Sequence, residues 1–407
     1  MVFEKEVNPE KITQAEMVVC IPSYNEADSI AFPTKQASLG LAKYFSDKSA
    51  VIINCDNNSP DNTKQAFLNT PTDIPKLYLS TPPGLKGKGN NFKNLFEKVI
   101  ELKAEAVVVV DADLKSITPE WIRRLGEPLF NDFTYVAPLY VRHKYDGTIT
   151  NGIAYPLSRA LYGRRVRQPI GGDFGFRGTL AKTYLESKIW DEAVANFGID
   201  IWMTTVALAQ GAQTCQSFMG RPKIHRPKDP AASLGPMFRE VVGTIFSLMK
   251  YFDKYWLNIK YSKPTAIYGF GLGETEMPPK IDVDTEKLFQ RFHEGFDQYS
   301  DIWETVLSQD VFQKLEEMKG IKERLFTFPT DLWARVLYDM AIAYRDELCD
   351  HDQMMDALIP LYFGKTLGFV RKTKRMSILL AEEAIEEDCV TFEMTKPYLI
   401  KRWQGKM

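Results

Sequence analysis

Short apolar runs alternate with amphipathic segments along the first half of the chain. The runs with the length and composition of strands are Met17–Ile21, Ala50–Asn54, Leu77–Ser80 and Ala106–Val110. The segments between them with helical spacing include Ser29–Phe45 and Asn91–Lys103. Alternating strands and helices predict an α/β fold, with a mostly parallel sheet and helices on both faces. The uninterrupted valines of the fourth run predict a central strand that is covered on both faces.

From about Ser233 the pattern becomes helical. One helix face is predicted from apolar residues at spacings of three and four: Leu288, Phe292, Phe296, Tyr299, Trp303 and Val306. Thr330 has the chemistry of an N-cap for a helix that carries Leu332, Val336 and Met340. We therefore expect an α/β domain over residues 1–232 and an all-helical C-terminal domain over residues 233–407.

Composition narrows the function classes. The formal net charge is -2, so no global bias toward nucleic acid or an anionic membrane is expected. The five cysteines are odd in number and form no CxxC pair, which argues against disulfides and zinc-thiolate sites and fits a reducing compartment. The charged N-terminus lacks the apolar stretch of a signal peptide, and no apolar run approaches the roughly 20 residues that span a bilayer. We expect a soluble, cytoplasmic protein without a transmembrane segment.

Two aspartates, Asp111 and Asp113, directly follow the buried valine run. In open α/β sheets, ligands bind outside the carboxyl ends of the strands. Residues two apart in a strand point the same way, so both carboxylates can face one site. Such hard oxygen ligands suit Mg²⁺ or Mn²⁺, which commonly bridges substrate phosphates. The alternative is an acidic loop at a strand end, but the position after a buried strand favours a metal and nucleotide site.

Three further polar segments are candidates for nucleotide binding: Ile21–Glu26, Cys55–Thr63 and Gly84–Asn90. Ordinary turn chemistry explains each of the first two alone, but their order ahead of the aspartates favours a nucleotide site. Asp56 is placed to accept hydrogen bonds from a base or ribose. In the third segment, glycines let the backbone approach an anion, and Lys88 can meet a phosphate at a helix N-terminus. A flexible basic loop is the alternative there, and the P-loop pattern is not matched.

These motifs together resemble the N-terminal half of GT-A glycosyltransferases of the broad family 2 type. Three more segments occur in order: Gln168–Asp173, Phe197–Asp200 and Lys223–Arg226. That series resembles the retaining enzymes that make glucosyl-3-phosphoglycerate, glucosylglycerate and mannosylglycerate. The resemblance covers about residues 15–230, and the helical tail resembles those enzymes only in kind. It implies a GT-A fold, a Mg²⁺ or Mn²⁺ cofactor, and transfer of a hexose from a nucleotide-diphosphate sugar for compatible-solute synthesis.

The resemblance also implies roles for single residues at matching positions. Asp113 and His225 would ligate the metal, with Asp111 nearby. Lys88, at the diphosphate, and Asp200, which would orient the donor hydroxyls or the acceptor, are the candidate catalytic residues. The candidate donor-binding residues are Pro22, Tyr24, Glu26, Asp56, Lys88, Asp111, Ala112, Gly171 and Gly172. A lone histidine is more often a surface or packed residue, so the assignment of His225 depends on the resemblance.

The acceptor loop departs from the family pattern. Relatives that use phosphoglycerate carry Gly-Gly-Arg-x-Thr, and the matching stretch here is Asp146–Thr150. Thr150 keeps the threonine, but Thr148 replaces the arginine, which is the preferred bidentate ligand of phosphate. We therefore favour free D-glycerate or a similar small hydroxy acid, with compensation from Arg142–Lys144 as the route to a phosphorylated acceptor. The candidate acceptor-binding residues are Arg142, Gly147, Thr148, Thr150 and Asp200.

The narrower resemblance implies retention of the anomeric configuration. Because no nucleophile for a double displacement is evident, we expect a front-face reaction in which the leaving phosphate accepts the acceptor's proton. One alternative is an inverting family 2 transferase acting on a polysaccharide or lipid-linked acceptor, although neither membrane helices nor a carboxylate pair after the aspartates is evident. Another is a non-catalytic nucleotide-sugar-binding protein, against which the intact Asp111, Asp113 and His225 argue. The motifs are compatible with glucose or mannose, and with UDP, GDP or ADP.

A basic cluster follows the apolar stretch Ala357–Val370: Arg371, Lys372, Lys374 and Arg375. A solvated helix end is the first interpretation, and a contact with a second subunit or an anionic lipid is the alternative. Pro360, Gly364 and Gly368 argue against a membrane-spanning helix there. Because helical tails of this kind often dimerise, we expect a homodimer.

Overall fold

The computed structural model describes residues 4–225, 230–269 and 276–405, with the backbone alone for 230–234. The chain divides into two compact units. The first unit contains Met1–Val141, Val166–Lys228 and Thr265–Pro278, and the second contains Arg142–Arg165, Asp229–Pro264 and Pro279–Met407. Arg226, the last residue of one predicted motif, lies outside the described residues.

The strands within the described ranges all belong to the first unit. In chain order they are β1 (Glu6–Val7), β2 (Met17–Ser23), β3 (Ala50–Asp56), β4 (Lys76–Ser80), β5 (Ala106–Val109), β6 (Tyr135–Leu139), β7 (Phe174–Arg177), β8 (Thr214–Phe218) and β9 (Ala266–Tyr268). The α-helices of both units are α1 (Ala31–Tyr44), α2 (Thr63–Asn69), α3 (Lys88–Glu101), α4 (Pro119–Gly126), α5 (Tyr155–Tyr162), α6 (Thr179–Leu185), α7 (Glu192–Ala195), α8 (Ile199–Ala209), α9 (Pro230–Tyr251), α10 (Asp253–Trp256), α11 (Thr285–Val306), α12 (Gln309–Lys319), α13 (Thr330–Arg345), α14 (His351–Thr373) and α15 (Ile378–Trp403). Shorter 3₁₀ or π-helical turns cover Glu127–Phe130, Thr150–Ala154 and Glu323–Leu325.

The strands form one sheet with the order β1-β4-β3-β2-β5-β7-β6-β8-β9. The pairings β4-β3-β2-β5 and β6-β8-β9 are parallel, whereas β1 and β7 run antiparallel to their neighbours. The four predicted strands are confirmed as β2 to β5, with shifts of one or two residues at some ends. The valine run forms β5, which is the central strand as predicted.

Side chains alternate between the two faces of the sheet along each strand, so the apolar strands direct side chains to both faces. Helices cover both faces. Val108 of β5 belongs to a buried cluster with Trp121 of α4 and residues of α1. Val107 points to the other face, where its partner Phe176 lies 5.9 Å, between ring centroids, from Phe96 of α3. The predicted class, an α/β sheet with helices on both faces and a helical C-terminal region, is confirmed.

The antiparallel strand β7 sets the position of the glycine-containing motif. Val109, at the end of β5, pairs with Phe174, at the start of β7. The segment that precedes β7 therefore lies beside the segment that follows β5. Gly175 lets α4 approach β7, since a Cβ atom there would lie 2.3 Å from the Leu125 carbonyl oxygen.

The second unit is helical and also contains the segment Arg142–Arg165. The predicted apolar face from Leu288 to Val306 lies on α11, which approaches α14 closely at Gly364, where a Cβ atom would lie 2.5 Å from the Phe292 ring. The predicted N-cap Thr330 is wrong by one residue. Pro329 is the cap, and the Thr330 hydroxyl donates instead to Asp388 at 2.9 Å.

The division of the chain differs from a single cut after residue 232. Residues 142–165 are grouped with the C-terminal helices, and residues 265–278 with the sheet. All five cysteines are free thiols, as predicted. None of the helices in the described ranges combines the length and apolar character of a membrane span.

Candidate functional site

The two aspartates lie immediately after β5, at the carboxyl end of the parallel strands β2, β3 and β5. Asp111 is partly buried, and both oxygens of its carboxylate contact lysines. Lys88 Nζ lies 3.0 Å from Oδ1, and Lys223 Nζ lies 2.8 Å from Oδ2. Ala112 between the aspartates is buried at 4% exposure and packs into the core.

Lys223 has an acceptor for each of its three ammonium protons. Besides Asp111, it donates to the Gly171 carbonyl at 2.7 Å and lies 2.9 Å from Asp173 Oδ2. Asp173 is fully buried, accepts a bond from the Asp111 backbone N–H at 2.9 Å, and is also hydrogen-bonded by the Tyr140 hydroxyl. This closed network holds the segment before β7 against the segment after β5.

Glycine is required at both positions of the Gly171-Gly172 turn. A Cβ atom on Gly171 would lie 2.4 Å from Cγ of Pro138. Gly172 has a φ of +84°, and a Cβ atom on it would lie 2.7 Å from Asp111 Oδ2 and 2.8 Å from Lys223 Nζ. The turn leaves no room for a side chain beside the two charged groups.

Lys88 is the first residue of α3, three residues before the predicted start of that helix. Its ammonium connects Asp111 to Asp200, which lies 3.1 Å away in the first turn of α8. The preceding loop packs closely on α7, because a Cβ atom on Gly87 would lie 2.2 Å from the Ala195 carbonyl oxygen. The predicted catalytic pair, Lys88 and Asp200, is therefore in direct contact.

Burial and ion pairing shift the pKa values of these groups in opposite directions. Burial would raise the pKa of Asp111, but the charges of Lys223 and Lys88 outweigh it and hold that pKa well below the usual range. Burial would lower the pKa of Lys88, but Asp111 and Asp200 raise it. For Asp200, burial outweighs the attraction of Lys88, and its pKa is raised.

Asp113 and His225 are neighbours. A bridge between Leu114 and His225, with a hydrogen bond from the Lys115 N–H to the Ile224 carbonyl at 2.8 Å, aligns the two segments. Asp113 is 4% exposed, and its Oδ1 lies 3.1 Å from Nδ1 of His225. Asp113 also borders a cleft of about 390 Å³ that is lined by Asp28, Ser29, Phe32, Asp113, Leu114 and Lys115.

The Asp113–His225 pair fits a divalent cation. Two adjacent ligands at about 2.1 Å from an octahedral ion are about 3 Å apart, close to the observed separation. No group of three or more His, Cys, Asp or Glu side chains in the described ranges is arranged around a metal position. Mg²⁺ commonly keeps water and substrate phosphate ligands beside one or two protein ligands, so a site with only two protein ligands is compatible with such an ion. The role of Asp111 as a further ligand stays a prediction, since its oxygens face lysines.

The predicted donor loops lie at the ends of β2 and β3. Asp56 is fully buried and accepts hydrogen bonds from Ser23 Oγ at 2.8 Å, Tyr78 Oη at 2.9 Å, and both the N–H and Oγ of Ser59 at 2.8 and 2.6 Å. It therefore ties three loop and strand segments together, and its contact with a base stays a prediction. Pro22 is buried within β2.

Two other predicted donor residues, Tyr24 and Glu26, follow β2. Tyr24 is 36% exposed, and the Lys86 ammonium lies 4.9 Å from its ring centroid. Glu26 is 9% exposed and accepts a hydrogen bond from the Ser29 hydroxyl, and its backbone N–H donates to Thr63 Oγ1 at 2.9 Å. Tyr24 thus presents an open aromatic surface, whereas Glu26 is held in the turn.

The predicted acceptor loop belongs to the second unit. Its residue Thr148 is hydrogen-bonded to the Tyr362 hydroxyl of α14, and Thr150 is buried at 4% exposure in the π-helical turn. Gly147 has a φ of +64°, and a Cβ atom there would lie 2.6 Å from Nη1 of Arg142. Lys144 donates to backbone carbonyls at the end of α14, so its ammonium is already engaged.

Sequence reasoning missed Lys223, Asp173 and Tyr140 as site residues. Lys223 and Asp173 lie in motifs that the resemblance had singled out, but no role was assigned to them. One signal was available, because Lys223 lies two residues before His225 and an extended segment directs both side chains to the same side. Tyr140 had no such signal, since only the fold places it beside Asp173.

No family model matches the chain. A 173-residue stretch is 27% identical to mannosylglycerate synthase of Rhodothermus marinus, and it makes up 40% of this chain and 42% of that protein. The chain thus spans about two fifths of the length of the curated relative that it matches. This match confirms the resemblance that the motifs indicated.

Similar solved structures include glucosyl-3-phosphoglycerate synthase from Mycobacterium tuberculosis in complex with Mn²⁺, UDP and glucosyl-3-phosphoglycerate. It is 23% identical, with a TM-score of 0.46, over 57% of this chain and 80% of that chain. The same enzyme with Mg²⁺ and UDP is 21% identical, with a TM-score of 0.45, over 57% of this chain and 79% of that chain.

Proposed function

We propose that this protein is a metal-dependent hexosyltransferase that moves glucose or mannose from a nucleotide-diphosphate sugar to D-glycerate or a related small acid. The observation that carries the proposal is the pair formed by Asp113 and His225, 3.1 Å apart at the carboxyl end of the sheet. The sequence similarity to a mannosylglycerate synthase supports the choice of reaction.

In this proposal, Asp113 and His225 hold Mg²⁺ or Mn²⁺, which supplies charge neutralisation at the departing diphosphate. Lys88 contributes a second positive charge from the N-terminus of α3, where the helix dipole also favours an anion. Lys223 holds Asp111 and the Gly171-Gly172 turn in place, and this turn lines the sugar. Asp200 accepts a hydrogen bond from a hydroxyl of the sugar or of the acceptor.

We further propose that the anomeric configuration is retained by a front-face reaction. The bond from the anomeric carbon to the diphosphate oxygen breaks, the acceptor oxygen attacks from the same side, and the diphosphate takes the acceptor's proton. The anomeric configuration of the product, determined by NMR spectroscopy, tests this step. An inverted product from an α-linked donor would exclude it.

The free acid is the proposed acceptor, since Lys144 is engaged at the end of α14 and Thr148 replaces the arginine of the phosphoglycerate-binding pattern. Arg142 also lies beside this loop, and its guanidinium is 4.0 Å from Asp146. A carboxylate needs fewer cationic partners than a phosphate dianion, which favours D-glycerate.

The function is tested by incubating the protein with Mg²⁺ or Mn²⁺, a panel of UDP, GDP and ADP sugars, and either D-glycerate or 3-phosphoglycerate. We expect turnover with D-glycerate and loss of turnover on chelation. Asp113→Asn and His225→Ala should lower both Mn²⁺ affinity and turnover by roughly 10-fold or more. Asp132→Asn, a change at an exposed acid before β6, serves as the matched control. Donor hydrolysis without transfer to either acid would exclude the proposed acceptor class.

A further inference from the structure

The two lysines of the site differ in how their ammonium groups are held. Lys223 is buried, with 2% of its side chain exposed, and has three acceptors between 2.7 and 2.9 Å. Lys88 retains 16% exposure and has longer contacts: 3.0 Å to Asp111, 3.1 Å to Asp200 and 3.5 Å to the Gly172 carbonyl. Lys88 is therefore the cation of this pair that can change partners.

The Asp200 carboxylate relies on Lys88 for its ion pair, whereas the Asp111 carboxylate has a second cationic partner. Asp111 keeps Lys223 as a second cation when Lys88 leaves, and the backbone of Asp111 remains bonded to Asp173. Asp200 forms its ion pair with Lys88, at 3.1 Å, and 15% of the Asp200 side chain is exposed. Release of Lys88 would thus change the surroundings of Asp200 and leave Asp111 fixed.

We propose that Lys88 masks Asp200 until the diphosphate of a donor binds. Phosphate oxygens then take the Lys88 ammonium, and Asp200 becomes available to a hydroxyl of a substrate. This inference rests on the proposed function, because it requires a diphosphate ligand at the N-terminus of α3. Donor binding is then the event that exposes the Asp200 carboxylate. Before the donor binds, Asp200 competes with the diphosphate for the Lys88 ammonium.

The competition is measurable as a coupling between Asp200 and Lys88 in a double-mutant cycle. The ligand is the nucleoside diphosphate, UDP, GDP or ADP, that the unchanged protein binds most tightly with Mg²⁺. Calorimetry gives its affinity for the unchanged protein, Asp200→Asn, Lys88→Met and the double variant. Glu192→Gln is the matched control, since Glu192 is an exposed acid on α7, which packs against the loop that precedes Lys88.

Asp200→Asn should bind the diphosphate roughly three- to tenfold more tightly, because Lys88 is no longer shared. In the Lys88→Met background the same change should alter affinity by less than about twofold. Glu192→Gln should change little. An equal gain in both backgrounds would mean that Asp200 simply repels the ligand, and no gain in either would mean that it does not compete. Both results overturn the inference.

Lys88→Gln provides a second cycle if Lys88→Met does not fold, since the amide removes the charge but keeps a hydrogen-bond donor for Asp111. The two levels of the proposal fail in different ways. If no nucleoside diphosphate binds to the unchanged protein, the proposed function is wrong and the inference falls with it. If a diphosphate binds and hexose transfer occurs without coupling between Lys88 and Asp200, only the inference is wrong.

Discussion

Gly172 combines a left-handed backbone conformation with direct proximity to the charged side chains of the site. Its φ is +84°, and a methyl group there would press on Asp111 Oδ2 and Lys223 Nζ. Gly172→Ala should therefore cost about 1–2 kcal/mol in backbone strain and also displace both charged groups. Since a displacement of about 1 Å in a catalytic site can cost about 100-fold, we expect hexose transfer to fall at least about 10-fold. Steady-state kinetics and urea unfolding measure the two effects.

Gly211 offers the matched control for this prediction. It has a φ of +73°, but apart from the glycine itself and its two chain neighbours no heavy atom lies within 4 Å of the position of its Cβ. Gly211→Ala should show the strain alone, with a similar loss of stability and an unchanged transfer rate. If Gly172→Ala kept full activity, the close fit of the turn against Asp111 would not matter for the reaction.

At the scale of elements, Lys144 joins the predicted acceptor loop to the end of α14. Its ammonium donates to the carbonyls of Thr373 at 2.8 Å and Met376 at 2.7 Å, where cations stabilise a helix end. Lys144→Met should lower the free energy of unfolding by roughly 1–3 kcal/mol and leave the ratio of activities on D-glycerate and 3-phosphoglycerate unchanged. Lys374→Met, at an exposed lysine of the same helix end, is the control. A selective loss of activity on 3-phosphoglycerate would instead make Lys144 a phosphate ligand.

A second buried lysine joins three helical segments of the second unit. Lys396 of α15 is 3% exposed and donates to the carbonyls of Ala160, Trp256 and Ile259 at 2.7–2.8 Å. Burial lowers the pKa of Lys396 to about 8, against 10.5 for the ordinary side chain. Between these pH values the unfolded chain binds more protons, so the contribution of Lys396 to stability rises with pH.

The pH dependence of this contribution can be measured by comparing the unchanged protein with Lys396→Met. The difference in their free energies of unfolding should shift in favour of the unchanged protein by on the order of 2 kcal/mol between pH 7.5 and pH 10. Urea unfolding at both pH values measures it, with Lys401→Met, at an exposed lysine of the same helix, as the control. A difference that is independent of pH would show that the three carbonyls keep the ammonium charged despite its burial.

The elements that could be predicted are those whose local pattern agrees with their surroundings. The valine run before Asp111 is apolar because both faces of β5 are covered, and this information is local. The strand β7 is short, contains Gly175 and pairs antiparallel with a strand that is distant in sequence, so the local sequence pattern does not predict it. The same distinction separates the site residues that could be predicted from those that could not. Asp113 and Lys88 lie in recognisable motifs, whereas the contact of Lys223 with Asp173 spans 50 residues and exists only after folding.

At the scale of the whole molecule, the segment Arg142–Arg165 determines how the chain divides. The sequence predicts an α/β domain over residues 1–232, which includes this segment, because the helical pattern begins only at about Ser233. Its buried Arg159 instead pairs with Glu386 at 2.5 Å and Glu393 at 2.6 Å on α15. The Trp333 indole also donates to the Gly152 carbonyl at 2.7 Å. These partners lie more than 180 residues away, which no local pattern could reveal.

A fragment of residues 1–232 should therefore fail to fold as an independent domain. It would leave the buried guanidinium of Arg159 without Glu386 and Glu393, and removal of the partners of a buried charge typically costs about 3–5 kcal/mol. It would also expose Tyr155, which is 2% exposed in the full chain and packs on Ile385 and Cys389. We expect the fragment to bind a hydrophobic dye and to lack a cooperative urea transition, whereas the full chain shows one. A cooperative transition with retained nucleoside diphosphate binding would instead support the boundary after residue 232, and would mean that residues 142–165 need no partner from α13 or α15.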